Sequence, residues 1–214
     1  VSVGYSDESG ILETSKLERI TGSIGINPKF LNNHLSINAN AKGMNIQNQF
    51  PDMGAVGSAL AFDPSQATTN DSPFGGYTTW LNAEGNPIDI AVKNPIAMIQ
   101  MREDLATVNR FIGNAQADYK FHFLPDLRAN LNIGYDHSKS EGSIYVPQNA
   151  PMNYNALRGG GVDRVYEQEK KNELLDFYFN YKKEIKSIKS KVDVMAGYSW
   201  QHFWRKGSAF QTNI

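Results

Sequence analysis

The stretch FIGNAQADYKFHFLPDLRANLNIGYD, residues 111–136, consists of two runs of alternating hydrophobicity joined by the short link 124–126. In the first run, one set of alternate residues is apolar, aromatic or small: Phe111, Gly113, Ala115, Ala117, Tyr119, Phe121 and Phe123. The residues between them include Asn114, Gln116, Asp118 and Lys120. Because successive side chains of a β-strand point to opposite faces, the pattern predicts two antiparallel strands with one apolar and one polar face.

The same period of two recurs along much of the chain. It predicts roughly seven strands, at 1–7, 18–26, 35–48, 106–123, 127–138, 166–183 and 191–204. The expected fold class is all-β, an antiparallel up-and-down meander. Several of these strands are much longer than the usual five to six or so residues of globular proteins, and they suit a tilted crossing of a membrane.

The segment 166–183 supports two interpretations. As a strand, it places Leu175, Phe177, Phe179 and Tyr181 on one face. As a helix, it aligns Leu174, Tyr178, Tyr181, Ile185 and Ile188 at helical spacing. The aromatic run FYFNY has a high β propensity, and the neighbouring segments continue the alternation. We therefore predict a strand here.

The predicted links between strands sort by length. Those at 28–33, 124–127 and 183–190 are short and those at 49–105 and 139–164 are long, so that in a meander the two kinds fall at opposite ends. The link 9–15 is an exception, since it is short but belongs to the long end. Short turns on one side and long extracellular loops on the other are typical of a large transmembrane β-barrel. Two short helices are expected inside the first long loop, at 55–61 and 95–102.

Composition excludes several other classes of protein. The net charge of −1 gives no electrostatic basis for binding nucleic acid, and the absence of cysteine excludes disulfides and thiolate metal sites. The sequence has no run of about 18 apolar residues, which excludes a transmembrane helix. The mean hydropathy of −0.47 does not distinguish a soluble β protein from a membrane barrel, because half of each barrel strand also faces water.

Several stretches carry a more specific signal. FIGNAQADYKFHFLPDLRANLNIGYD, LLDFYFNYKKEI and VDVMAGYSWQ resemble the barrel of SusC/RagA-type TonB-dependent transporters, and LERITGSIGINPKF, GAVGSALAFDPSQ and Asn94-Pro95-Ile96-Ala97 support the resemblance. The resemblance implies import of nutrients, commonly oligosaccharides or peptides, across the bacterial outer membrane. It also implies a SusD-like surface lipoprotein as partner and energy delivered through TonB.

The resemblance extends over essentially the whole chain. We therefore expect residues 1–214 to be a fragment of such a barrel, with the apolar face in contact with outer-membrane lipid. The plug domain and the TonB box of the family, through which TonB acts, have no counterpart in these residues.

Two groups of residues are candidates for function. Tyr77 and Trp80, in GGYTTWLN of the first long loop, could contact a substrate or a partner, since exposed aromatic rings stack on sugars or anchor proteins. The alternative is that they pack the loop against its surroundings. The polar row Asn114, Gln116, Asp118 and Lys120 is expected to line the lumen, where it would touch substrate or hydrogen-bond the plug domain.

Other apparent motifs do not indicate chemistry. The adjacent residues Asp136, His137 and Ser138 alternate between the two faces of a strand, so they cannot form a catalytic triad with one another. Asp63, Asn70 and Asp71 carry oxygen ligands suited to calcium, but they lack the spacing of a calcium loop. We expect no enzymatic activity, no metal and no cofactor.

The local patterns leave two alternatives to an importer. A passive porin or a structural outer-membrane barrel would share the strand alternation and the sorting of loops. A soluble carbohydrate-binding β-sandwich is the third possibility. Upstream sequence that encodes a plug domain and a TonB box would distinguish the importer from both.

Overall fold

The computed structural model describes residues 1–155, 157 and 159–214, without the side chain of Ile188. Within them the chain forms one antiparallel sheet with strands β1 (Ser2–Ser9), β2 (Lys16–Ile26), β3 (Lys29–Phe30), β4 (Leu35–Gln49), β5 (Glu103–Lys120), β6 (Leu127–Val146), β7 (Val162–Ile185) and β8 (Ser190–Asn213). Their order in the sheet is β1-β2-β4-β5-β6-β7-β8, and β3 pairs with β4. Apart from the two-residue β3, each strand thus pairs with the next one along the chain, which confirms the predicted all-β up-and-down meander.

An apolar face runs across the sheet in continuous register. One row consists of Ala39, Ala115, Ile133, Leu175 and Trp200 on β4 to β8, and the next consists of Ile37, Ala117, Leu131, Phe177 and Tyr198. Many of these side chains stay open to the surroundings, with Ile133 47% and Trp200 43% exposed. A continuous apolar surface of this extent marks contact with lipid or with another protein.

The ambiguous segment 166–183 is a strand, as predicted. It lies within β7, which pairs along its length with β6 on one side and β8 on the other. The helical interpretation is wrong, because both neighbouring strands offer the backbone of this segment an unbroken ladder of hydrogen-bond partners. Leu175, Phe177 and Phe179 consequently share the apolar face.

Several strands extend further toward the long loops than the sequence predicted. β6 continues to Val146 instead of ending at 138, and β8 continues to Asn213 instead of ending at 204. The long loops are therefore shorter, 50–102 instead of 49–105 and 147–161 instead of 139–164. Positions 156 and 158 of the second loop lie outside the described residues. At 139–143 of β6 and 205–208 of β8 both sides of the strand are largely polar, so the alternation fades there although backbone pairing continues.

The links alternate between two ends of the sheet. The short-turn end carries 27–34, 121–126 and 186–189, and the long-loop end carries 10–15, 50–102 and 147–161. β5 ends at Lys120, so Phe121 and Phe123 lie in a turn and not in the strand to which the sequence assigned them. Phe121 still contacts Tyr119, with ring centroids 5.2 Å apart. Aromatic rings therefore border the apolar face at the short-turn end.

Two short helices lie in the first long loop, close to where they were expected. They are α1 (Gly54–Ala61) and α2 (Pro95–Gln100). α2 ends two residues earlier than predicted, because Met101 caps it and Arg102 leads into β5. Ala55 of α1 and Ala97 of α2 are buried. No helix among the described residues is long and apolar enough to cross a membrane.

Candidate functional site

A hydrogen-bonded row of polar side chains crosses the sheet on the face opposite the apolar one. Asn114 Nδ2 donates to Asn132 Oδ1 at 2.8 Å, and Asn132 Nδ2 donates to Asp176 Oδ2 at 3.2 Å. The Ser199 hydroxyl donates to the other Asp176 oxygen at 2.6 Å. Side chains thereby join four consecutive strands, β5 to β8. A network whose members satisfy one another holds them in a single arrangement.

The four residues predicted to line the lumen share this polar face of β5: Asn114, Gln116, Asp118 and Lys120. Asn114 belongs to the hydrogen-bonded row, and Asp118 accepts a hydrogen bond from Arg128 Nη1 at 3.2 Å. Among the described residues, the side chains of Gln116 and Lys120 have no hydrogen-bond partner. The structure brings the four onto one face. That they line a lumen and touch substrate stays a prediction.

The adjacent residues Asp136 and His137 face opposite sides of β6. Asp136 accepts hydrogen bonds from Arg110 and Asn172 on the polar face. His137 Nε2 lies 2.9 Å from Glu169 Oε1 on the other face. The two side chains therefore cannot cooperate in a triad. The part of the chain that the structure describes contains no group of three or more His, Asp or Glu side chains placed to hold a metal ion.

Tyr77 and Trp80 are half-buried in the first long loop. The Tyr77 hydroxyl donates to Gln100 Oε1 at 2.7 Å, which ties the loop to α2. The Trp80 indole meets the ring of Phe62 edge-on, with centroids 5.1 Å apart. Both aromatic residues thus take part in packing the loop. Their contact with a substrate or a partner stays a prediction.

Asn94 organises the same loop, a role that the sequence did not reveal. Its side chain is buried, and Oδ1 accepts hydrogen bonds from the backbone N–H groups of Ile96 and Ala97 at 3.0 and 3.2 Å. Its Nδ2 donates to the carbonyl oxygens of Thr68 and Thr78 at 2.7 and 3.1 Å. Asn94 therefore caps α2 and holds two remote segments of the loop at once. The only signal in the sequence is Asn followed by Pro, a common start of a helix.

The two long loops contact each other through Tyr154. Its ring meets Phe74 edge-on with centroids 5.2 Å apart, and Phe74 is buried. Its hydroxyl donates to Asn86 Oδ1 at 2.9 Å, across 68 residues of sequence. The loops therefore form one continuous surface at the long-loop end. Sequence patterns, which report local periodicity, could not predict a contact of this kind.

Comparison with known proteins agrees with this geometry, although no family model matches the chain. Over 225 aligned positions, the chain is 36% identical to the TonB-dependent receptor SusC of Bacteroides thetaiotaomicron, an alignment that covers 97% of the chain and 21% of SusC. This similarity is consistent with a fragment of a SusC/RagA-type TonB-dependent receptor. The fold also matches the structure of the RagAB peptide importer in the closed-closed state, with a TM-score of 0.65 at 16% sequence identity. That match covers 98% of the present chain and 23% of the matched importer chain. The open-open state matches with a TM-score of 0.64.

The SusC/RagA type agrees with the two-faced sheet and with long loops gathered at one end. The described strands form a single sheet, whereas a soluble β-sandwich consists of two packed sheets. The names of the relatives describe a receptor and a peptide importer, neither of them an enzyme. The chain spans about a fifth of the length of SusC, 21%.

Proposed function

We propose that this SusC/RagA-type chain forms part of the barrel wall of an active importer in the bacterial outer membrane. The observation that carries the proposal is the 36% identity to the TonB-dependent receptor SusC across 97% of the chain. The apolar face would contact lipid and the polar face would line the lumen. β1 and β8 form the free edges of the sheet, and because lipid tolerates no unpaired edge, further strands must pair with them.

In this importer, TonB supplies the energy and a plug domain closes the lumen. The polar row Asn114, Gln116, Asp118 and Lys120 faces the plug or the passing substrate. Gln116 and Lys120 are the best placed to bind either, because within the described chain their side chains are not engaged by other groups. The nutrients are oligosaccharides or peptides.

The long-loop end is the extracellular end, and a SusD-like surface lipoprotein docks there. The contacts of Tyr154 with Phe74 and Asn86 support this docking, because they join the two long loops into one surface. Affinity purification of the tagged full-length protein from its own outer membrane tests this part of the proposal. A surface lipoprotein should copurify in near-equal amount, and its absence would contradict the proposed partnership.

TonB dependence separates the importer from a passive porin or a structural barrel. Cells that lack the full-length gene should lose growth on one oligosaccharide or peptide of a panel supplied as sole carbon source. Deletion of tonB should cause the same loss, and reintroduction of the full-length gene into the first strain should restore growth. Uptake of that nutrient without TonB would indicate a porin and overturn the proposal.

A further inference from the structure

A polar cavity of about 410 Å³ opens on the polar face at the long-loop end. Its floor is a row across three strands, Ile144 of β6, Arg164 of β7 and Gln211 of β8. The second long loop contributes Asn153 and Asn155 to its wall. A cavity of this size lies within the range of small-ligand sites, which hold a sugar unit or an amino-acid residue comfortably.

Two arginines, Arg102 and Arg164, line this cavity, and their guanidinium groups differ in their partners. Arg102 Nη2 pairs with Asp104 Oδ2 at 2.8 Å, while Arg102 Nε is buried without a hydrogen-bond partner. Within the described part of the chain, Arg164 is half-buried as a residue, and its guanidinium has neither a hydrogen bond nor an ion pair. Asp163, its neighbour in sequence, points to the other face of β7. Since Asp104 neutralises Arg102, the cavity carries an excess of one positive charge.

A half-buried cation without a partner is unfavourable, because it has lost part of its hydration and gained no ion pair in return. The planar guanidinium fork matches a carboxylate in two parallel hydrogen bonds. One excess positive charge suits a singly charged carboxylate better than a phosphate, which usually recruits several donors. The amides of Asn153, Asn155 and Gln211 add donors and acceptors for hydroxyl or peptide groups next to that carboxylate.

We propose that this cavity, with Arg164 as its anchor, binds a carboxylate group of the imported substrate. The inference rests on the proposed function, in that the polar face is taken to be the lumen wall of an importer. The carboxylate belongs either to a uronic acid of an oligosaccharide or to an acidic residue or C-terminus of a peptide. Either source offers the same group to Arg164.

Equilibrium binding to the full-length protein in detergent tests the inference, with isothermal titration calorimetry as readout. The acidic probes are trigalacturonic acid and triglutamate, and their neutral counterparts are maltotriose and triglycine amide. We expect the wild type to prefer one acidic probe, and which one identifies the source. Arg164→Gln should weaken that binding about tenfold or more, the usual effect of losing a charged hydrogen-bond partner, and leave the neutral counterpart unchanged.

Two further variants keep the test decisive. Arg164→Lys retains the charge without the fork and should bind the acidic probe with intermediate affinity, which separates recognition from misfolding. Arg19→Gln removes a positive charge from the polar face of β2, four strands from β7 in the sheet, and should leave affinity unchanged. The inference is overturned if neither acidic probe is preferred, if Arg164→Gln binds as the wild type does, or if Arg19→Gln weakens binding equally. Because binding in detergent does not involve TonB, these outcomes are independent of the test of import.

Discussion

Arg110 and Asp136 form a bidentate ion pair across β5 and β6, with Nε to Oδ1 at 2.9 Å and Nη2 to Oδ2 at 2.7 Å. Asn172 Nδ2 approaches Oδ2 from β7 at 3.3 Å, so the carboxylate joins three strands. The Arg110 side chain is 42% exposed and that of Asp136 is 24% exposed, so solvent partly screens their attraction. The two parallel hydrogen bonds should nevertheless make the pair a net stabilising interaction.

A double-mutant cycle on this pair should give a coupling free energy of about 0.5–1 kcal/mol. The cycle uses Arg110→Ala, Asp136→Ala and the double variant, and the measurement is unfolding of the full-length protein in detergent. The matched control is Arg128 with Asp118, which share a single hydrogen bond of 3.2 Å on the same face and should couple more weakly. Equal coupling in the two pairs would contradict the role assigned to the bidentate geometry.

Two substitutions of Asn94 should distinguish its role as the cap of α2 from its role in holding the surrounding loop. Asn94→Asp keeps an acceptor for Ile96 and Ala97 but loses the two hydrogen bonds donated to Thr68 and Thr78. Asn94→Ala loses all of them, at about 1 kcal/mol each. The free energies refer to local opening of the loop, since Asn94 lies outside the sheet.

Hydrogen exchange of the full-length protein measures these effects. In Asn94→Asp, the amides of Ile96 and Ala97 should stay protected while the amide of Thr78, bonded to the Thr68 carbonyl at 3.1 Å, exchanges faster. In Asn94→Ala, both regions should exchange faster. Identical exchange in the two variants would show that the donated bonds do not hold the loop.

Gly197 should tolerate no side chain, because β8 and β7 approach closely there. A Cβ at this position would lie 2.3 Å from Tyr178 Cβ and 2.5 Å from the carbonyl oxygen of Phe177. Backbone atoms cannot swing away, so Gly197→Ala should lower the free energy of unfolding by about 1–3 kcal/mol. Gly43→Ala is the control, since nothing lies within 4 Å of a Cβ at Gly43, and it should change stability by less than about 0.5 kcal/mol. Equal unfolding midpoints for both variants would contradict the close approach.

The sequence predicted the wall of strands well, because each strand had to keep its apolar side chains on one face. β7 is the clearest case: its aromatic run fits a strand, and pairing with both neighbours excludes the helix that its spacing also allowed. β6 was predicted too short, because Lys139 and Glu141 on one face alternate with Ser140 and Gly142 on the other. Both faces are polar there, so hydrophobic alternation carries no information about pairing.

Most contacts at the long-loop end could not be predicted. Asn94 binds Thr68 and Thr78, and Tyr154 binds Asn86, through side chains that converge only once the loops are folded. Arg102 and Arg164 meet at one cavity because β5 and β7 both begin near it. Neither arginine belongs to a motif, and no local spacing connects them. Loop function of this kind depends on tertiary contacts that periodicity does not encode.

Replacing Tyr77 and Trp80 should impair the structure and function of the long-loop end without affecting assembly of the strands. The double variant Tyr77→Ala, Trp80→Ala removes the hydrogen bond to Gln100 and the ring contact with Phe62, each worth about 0.5–1.5 kcal/mol. Because neither residue lies in a long strand, heat-modifiable migration of the assembled full-length barrel should be unchanged. The loop should become more sensitive to protease, and uptake of the nutrient and capture of the surface lipoprotein should both fall.

Phe123→Ala, which removes an exposed aromatic ring at the short-turn end, is the control and should change neither protease sensitivity, nor uptake, nor lipoprotein capture. If the loop becomes protease-sensitive while uptake and lipoprotein capture stay normal, the two rings only pack the loop. Loosening the loop would then have no effect on transport.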